Sequence, residues 1–239
     1  MARFFYFILG CFLINSSIVA DNKNCLISEE PFVPHAFETL DEWDRRVIGE
    51  SNYQQCLRAF NTVTDVTFKR IVYNSDDLKI TGVLCYPSEV QQKNYLYPVI
   101  IYNRGGWGEL GKITVKKILN QIYPLVKAGY IVIASQYRGN DGSEGHDELG
   151  GADINDVIAL YDVIKELPYA DQNNIFMIGY SRGAINSYRT LQRATIPIKA
   201  CAILAGVSDC RYPGWNFQPN SSVFVSRAAN RFRLAPFCS

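Results

Sequence analysis

The run Ile175-Phe176-Met177-Ile178-Gly179-Tyr180-Ser181-Arg182-Gly183-Ala184 constrains this chain more than any other feature, because an apolar stretch ends in Gly-x-Ser-x-Gly and passes straight into a helical pattern. A serine held on a sharp strand-to-helix turn brings neighbouring backbone too close for side chains two positions away on either side, and glycine removes them. The five-residue pattern alone recurs by chance. Its setting, a buried-type strand before it and a helix over 186–192 after it, is what the motif requires. Ser181 then projects its hydroxyl from the carboxyl edge of a sheet, at the amino end of a helix; an incidental serine in a strand-turn-helix is the plainer alternative.

The rest of the chain supplies such a sheet. Apolar runs at 66–72 and 80–86 predict two strands of a hairpin-like start, and 97–102 a short strand followed by Asn103-Arg104-Gly105-Gly106. In 115–128 the residues Ile118, Ile122, Leu125 and Val126 recur at helical spacing, before a strand at 130–135; 153–167 reads as a second amphipathic helix and 198–204 as a further strand. Strands alternating with helices predict an α/β fold, a mostly parallel sheet with helices on both faces. The strands at 97–102, 130–135, 175–178 and 198–204 should then be buried on both sides. Functional groups of such sheets gather at the carboxyl ends of the strands, an edge shared by the 103–106 turn, the Gly-rich loop 136–151, Ser181 and the loop 205–209.

With 239 residues, 48% of them hydrophobic, and a formal charge of +1, the chain can bury a sizeable core and shows no basic excess for nucleic acid. Arg3, an apolar stretch over 4–14 and the small residues Ser16-Ser17-Ile18-Val19-Ala20 read as a secretory signal cleaved after Ala20. That implies a secreted or periplasmic protein with no stable membrane insertion once the signal is removed. A membrane anchor needs a longer apolar core, and Cys11 lies very early for a lipoprotein site. Removing Cys11 leaves Cys25, Cys56, Cys85, Cys201, Cys210 and Cys238, an even set whose pairing is not readable; Cys85 and Cys201 sit in apolar runs where a free thiol acts as a small hydrophobe. No Cys/His ligand spacing occurs, so no metal or other cofactor is expected.

Taken in order, Tyr102-Asn103-Arg104-Gly105-Gly106, Gln136-Tyr137-Arg138-Gly139-Asn140-Asp141-Gly142, Gly150-Gly151-Ala152-Asp153-Ile154-Asn155-Asp156 and Gly179-Tyr180-Ser181-Arg182-Gly183 resemble the catalytic domain of the prolyl oligopeptidase family of α/β-hydrolases. The resemblance covers about 66–209. It divides the chain into a signal at 1–20, a partly helical segment at 21–64 with a helix at 37–56, an α/β-hydrolase domain at 65–210 and an irregular tail at 211–239. It implies hydrolysis of a peptide or ester bond through an acyl-enzyme on Ser181. The segment at 21–64 is too short for the propeller of many relatives, whose blades need about 40 residues each, so the expected substrate is a small peptide or an ester.

A serine hydroxyl needs a histidine base, a carboxylate to orient it and amides to hold the oxyanion. The amide of Arg182 is the natural first donor and that of Gly105 or Gly106 the second. Arg104 stands where several relatives carry tyrosine or histidine, and its charge could attract an acidic substrate group. The family's acid and histidine follow a seventh and an eighth strand, whereas no histidine follows Ser181 here and only six strands of the fold are readable. The domain therefore reads as incomplete, its last two strands missing. His146, on the correct edge but in an acidic surface-type loop, and Asp209, after the sixth strand, are the candidate base and acid. His35 reads as a packed or exposed residue, and Asp153 and Asp156 read as structural, favouring a helix dipole and capping its amides. Three readings stand: a serine peptidase, a carboxylesterase, and a non-catalytic remnant or binding module.

Overall fold

The computed structural model describes residues 24–34, 45–90, 94–108 and 110–206. The signal read at 1–20, His35, Asp209 and the tail at 211–239 lie outside the described residues. The described strands form one seven-stranded sheet in the order β1-β2-β3-β5-β4-β6-β7, built from β1 (Leu26–Pro31), β2 (Val66–Ser75), β3 (Leu78–Pro87), β4 (Tyr97–Asn103), β5 (Ile131–Ser135), β6 (Ala170–Tyr180) and β7 (Ile198–Leu204). β1, β2, β3 and β5 pair antiparallel; β5, β4, β6 and β7 pair parallel.

The hairpin turns on Asp76 and Asp77, both at positive φ (51° and 61°), between Ser75 and Leu78. A two-residue turn of that hand matches the twist of the flanking strands, which is why both strands run on past the predicted 72 and begin before 80. β1 has no counterpart in the sequence reading. It is an edge strand ending in Glu29-Glu30-Pro31, almost wholly exposed, and only an edge tolerates such residues.

The parallel strands alternate between two cores. Val99 and Ile101 of β4 and Ile131 and Ile133 of β5 pack in one cluster with Val157, Leu160, Val163 and Ile164 of helix α3 (Asp153–Glu166). Ile100, Tyr102, Val132 and Ala134 pack in the other with α1 (Glu50–Asn61) and the helical segment α2 at 115–127. Burial of both faces makes these strands continuous apolar runs in the sequence. Helix α1 buries Tyr53, Leu57 and Phe60, and Phe60 lies 5.8 Å from Phe32 and 4.8 Å from Phe68, ring to ring. It runs further along the chain than the helix expected at 37–56, because Gly49 at φ 81° breaks the preceding turn at 45–48.

Helix α2 is broken where one helix was expected at 115–128: Val115–Lys117, a π-helical turn over Ile118–Ile122, then Tyr123–Lys127. Pro124 has no amide proton to donate to Asn120, and its ring crowds that carbonyl, so the helix widens just ahead of it. A second difference concerns β7. Its residues are half-buried or exposed, with Leu204 48% exposed, because among the described residues β7 is the last strand, beside which α4 (Arg182–Arg193) packs. Among the described residues Cys25, Cys85 and Cys201 are free thiols. Burial pushes the Cys85 thiol well above its ordinary range and that of Cys201 to about 11.

Ile133 is fully buried at the centre of the sheet. Ile133→Ala should cost about 2–5 kcal/mol of unfolding free energy, lost methyl burial plus an unfilled cavity, read from the shift of a urea transition at constant slope.

Candidate active site

Ser181 caps α4 at the end of β6 with φ 53° and ψ −116°, a conformation that L side chains rarely adopt. The two glycines of the motif make it possible. A Cβ at Gly179 would lie 2.5 Å from Ser187 Oγ and 2.6 Å from the Gly183 carbonyl oxygen, and one at Gly183 would fall on the carbonyl oxygen of Asn103 at the end of β4. The same contacts are closed by hydrogen bonds: Asn103 Nδ2 donates to Ser187 Oγ (2.8 Å), which donates to the Gly183 carbonyl (2.8 Å). The Ser181 amide donates to the Leu204 carbonyl of β7 (2.9 Å) and the Ala184 amide to the Ser181 carbonyl (3.0 Å). Among the described residues the Ser181 hydroxyl has no hydrogen-bond partner.

Gly105 lies directly beside the nucleophile: a Cβ there would be 3.1 Å from Ser181 Cβ and 2.9 Å from the Tyr180 carbonyl oxygen. Gly106, at φ 79°, turns the chain away from β4. Among the described residues the amides of Gly105 and Gly106 have no acceptor. The backbone of Arg182 opens α4, where amides lack intrahelical partners and the helix dipole favours negative charge. Gly105 and Arg182 therefore flank Ser181, and Gly106 is the next residue of the turn.

Arg104 is not available to a substrate. It is fully buried, and its guanidinium donates inward to the carbonyls of Gln136 (2.6 and 3.2 Å), Gly105 (3.2 Å) and Leu110 (3.4 Å). The expectation that it attracts an acidic group fails for that reason. Burial pulls this guanidinium down to about 10, and the neighbouring Arg182 charge adds to the effect.

Asp153 and Asp156 do not cap α3 as expected; Ala152 is the N-cap, without a side-chain bond. Both carboxylates are fully buried and neutralise arginines instead. Asp156 receives Arg138 Nη2 (2.7 Å), the Arg138 amide (2.8 Å) and Ser75 Oγ (2.8 Å). Asp153 receives Arg182 Nη2 (2.7 Å), Asn186 Nδ2 (3.1 Å) and the Gly150 amide (2.9 Å). The Arg182 side chain, 4% exposed, also spans Asp147 through both nitrogens (2.7 and 2.5 Å) and donates to the Gly106 carbonyl (3.1 Å). Neither this side chain nor Asp147 was singled out in the sequence, although Arg182 inside the elbow and Asp153 after the paired glycines were the visible signals.

His146 is exposed, beside Asp147 in the loop that follows β5, and β4 lies between β5 and the elbow strand β6. The loop nonetheless reaches the elbow through the Asp147–Arg182 pair. Burial raises the Asp147 carboxyl, but the Arg182 guanidinium, the Leu149 amide and Asn140 outweigh it and hold it below the usual carboxylate range.

Comparison with known proteins fits this arrangement. The family model of X-Pro dipeptidyl-peptidase (S15 family) matches residues 76–225, from the hairpin turn through the elbow. The chain belongs to this peptidase family. The match supports the peptidase and α/β-hydrolase reading and stops short of the prolyl oligopeptidase family that the four motifs resemble. Among curated proteins, the uncharacterized peptidase YtmA of Bacillus subtilis (strain 168) is 30% identical over 139 residues, 58% of this chain. The chain spans about half the length of that relative, 51% of it. Among solved structures, a putative dipeptidyl aminopeptidase IV of Bacteroides ovatus superposes with a TM-score of 0.53 at 20% identity, covering 63% of this chain and 22% of that one. A hypothetical protein of Pseudomonas aeruginosa superposes at 0.51 and 14% identity, covering 67% and 50%. These likenesses are of fold: the S15 chain has the α/β-hydrolase sheet.

The depressed Asp147 carboxyl makes the S15 loop acid-sensitive. Because its folded pKa lies below the unfolded value near 4, the pair stabilises the protein fully above that value and the contribution is lost as pH falls through the lower, folded pKa. The urea midpoint of the wild type should fall more steeply below pH 4 than that of Asp147→Asn, and parallel curves would show the pair to be inert.

Proposed function

We propose that this chain carries the nucleophile and oxyanion side of a serine-type peptidase or hydrolase of the prolyl oligopeptidase kind, acting on peptide or ester bonds through an acyl-enzyme on Ser181. One observation carries the reading: Ser181 is held at positive φ on the carboxyl edge of the sheet, with its hydroxyl unpaired among the described residues and Gly105 packed against it. A serine so placed can attack a carbonyl whose oxygen turns toward the amides of Arg182 and of the 105–106 turn. Trp107, Leu110, Tyr180 and Leu204 stand exposed around the same edge, Tyr180 and Leu204 as register partners, and would favour a substrate with an apolar side chain or acyl group. The carboxylesterase reading rests on the same site, and the leaving group decides between the two. Export through the signal at 1–20 belongs to this proposal.

Among the described residues no histidine bonds to Ser181, and triad dissections put the loss of the histidine at on the order of a million-fold in kcat. The chain should therefore react at Ser181 with an excess of a fluorophosphonate probe, slowly, and Ser181→Ala should not react. Steady turnover of a p-nitrophenyl ester or a short peptide by the 239 residues alone should be very low. Rapid turnover abolished by His146→Ala would assign the base to His146, and labelling unchanged in Ser181→Ala would remove the nucleophile from this reading.

A further inference from the structure

The two buried arginines nearest the elbow act on successive peptide units of one turn. Arg104 Nη1 donates to the Gly105 carbonyl (3.2 Å) and Arg182 Nη1 to the Gly106 carbonyl (3.1 Å). Both guanidiniums lie over the ring of Tyr137, at 4.8 and 4.7 Å from its centre, and the Tyr137 hydroxyl donates to the Arg104 carbonyl (3.2 Å). Three consecutive carbonyls of the turn are thus held by one buried cluster. A trans peptide points its N–H opposite to its C=O. The peptides on both sides of Gly106 are therefore fixed by a cation, and the Gly106 amide faces away from Arg104, with no acceptor among the described residues.

The cluster is itself held rigidly. Asp147 and Asp153 fix the Arg182 guanidinium, and the Gln136 carbonyl receives two donors from Arg104. Neither arginine is offered to a ligand, since Arg182 is paired with two carboxylates and Arg104 is fully buried with its guanidinium on carbonyls. A buried cation that donates to main-chain carbonyls orients those peptides, and a donor aimed before reaction costs no reorganisation when charge develops.

We propose that Arg104 and Arg182 are positioning residues which, stacked on Tyr137, set the orientation of the Gly106 amide as the second oxyanion donor, Arg104 through the peptide that carries that amide and Arg182 through the next one. This rests on the proposed role of Ser181. The arginines touch neither the substrate nor the reacting atoms.

The test measures phosphonylation of Ser181 by a fluorophosphonate in the full chain, resolving the maximal rate from the half-saturating probe concentration. Arg182→Met and Arg104→Met should lower the maximal rate by up to about 10²–10³-fold, the cost of one misaimed oxyanion donor, with little change in half-saturation. Arg182→Lys and Arg104→Lys, which keep the charge and one donor, should recover part of the loss and serve where the methionine variants do not fold. Folded variants that react at the wild-type maximal rate would overturn the inference, as would a loss seen only in half-saturation. On ¹⁵N-labelled wild type the Gly106 amide resonance should move on phosphonylation, and an unmoved Gly106 resonance would also overturn it. The reading of Ser181 fails separately, through absence of wild-type labelling or equal labelling of Ser181→Ala.

Discussion

Everything near the candidate site depends on a serine held where a serine does not rest. A non-glycine residue in a sparsely populated backbone region costs on the order of 1–3 kcal/mol and persists only where its surroundings over-determine it. For Ser181 the surroundings are specific. The β6–β7 pairing holds its amide through Leu204, and α4 begins immediately after it. Gly179 and Gly183 let the first turn of α4 press onto the end of β4 so closely that side chains would occupy the Asn103 carbonyl and Ser187. The strain is thus offset by packing of backbone on backbone, and the parallel order β4-β6-β7 is what brings those backbones together.

Charge burial is the second organising demand. Arg104, Arg138 and Arg182 are all buried on the carboxyl edge, where an unpaired cation would cost several kcal/mol. The chain meets this with Asp156 and Asp76 for Arg138, with Asp147 and Asp153 for Arg182, and with carbonyls for Arg104. Removing one partner of such a pair typically costs about 3–5 kcal/mol, because the other charge stays behind, while replacing both costs far less. The pairs are therefore better evidence of what is held in register than of net stabilisation. What they register are two segments that carry no regular structure of their own, the 105–106 turn and the loop after β5, against the start of α3.

This explains which parts of the molecule the sequence disclosed. Strands β4, β5 and β6 and helix α3 were legible because burial on two faces, or on one stripe, writes itself as an apolar run or a helical period. Ser181, Gly105 and Gly106 were legible because close backbone approach admits almost nothing but glycine. β1 escaped since an exposed edge strand carries Glu29, Glu30 and Pro31 and no periodic signal. The break in α2 was visible only as Pro124, whose consequence depends on the helix continuing past it. The direction of Arg104 and the partners of Asp153 and Asp156 were hidden, because the same residue types serve equally as substrate anchors, helix caps or buried pairs. Composition separates none of these, and only the side to which each chain turns does. β7 was read as fully buried because its apolar content is that of a central strand, whereas its place in the order decides its exposure.

The carboxyl edge has two kinds of neighbourhood with opposite chemistry. Beneath the turn, cations, carboxylates and Tyr137 form a buried polar layer; burial pushes the Tyr137 hydroxyl up to about 12 against the pull of both arginines, so it stays a neutral donor to the Arg104 carbonyl. Above it, Trp107 and Leu110 face outward, 63% and 64% exposed, and the Ser181 hydroxyl has no partner among the described residues. A reaction that develops negative charge on a carbonyl oxygen profits from this division. The fixed cations below orient main-chain dipoles without offering themselves as counter-ions, so the stabilisation falls on an oxyanion held at one point rather than on any anion that diffuses in. An acidic substrate would gain little from arginines that are buried and turned inward, and an apolar one would meet the exposed Trp107, Leu110, Tyr180 and Leu204. The order in the chain enforces it: Arg104 precedes the glycines and turns in, Trp107 follows them and turns out, and Gly106 at positive φ is the point where the backbone changes sides.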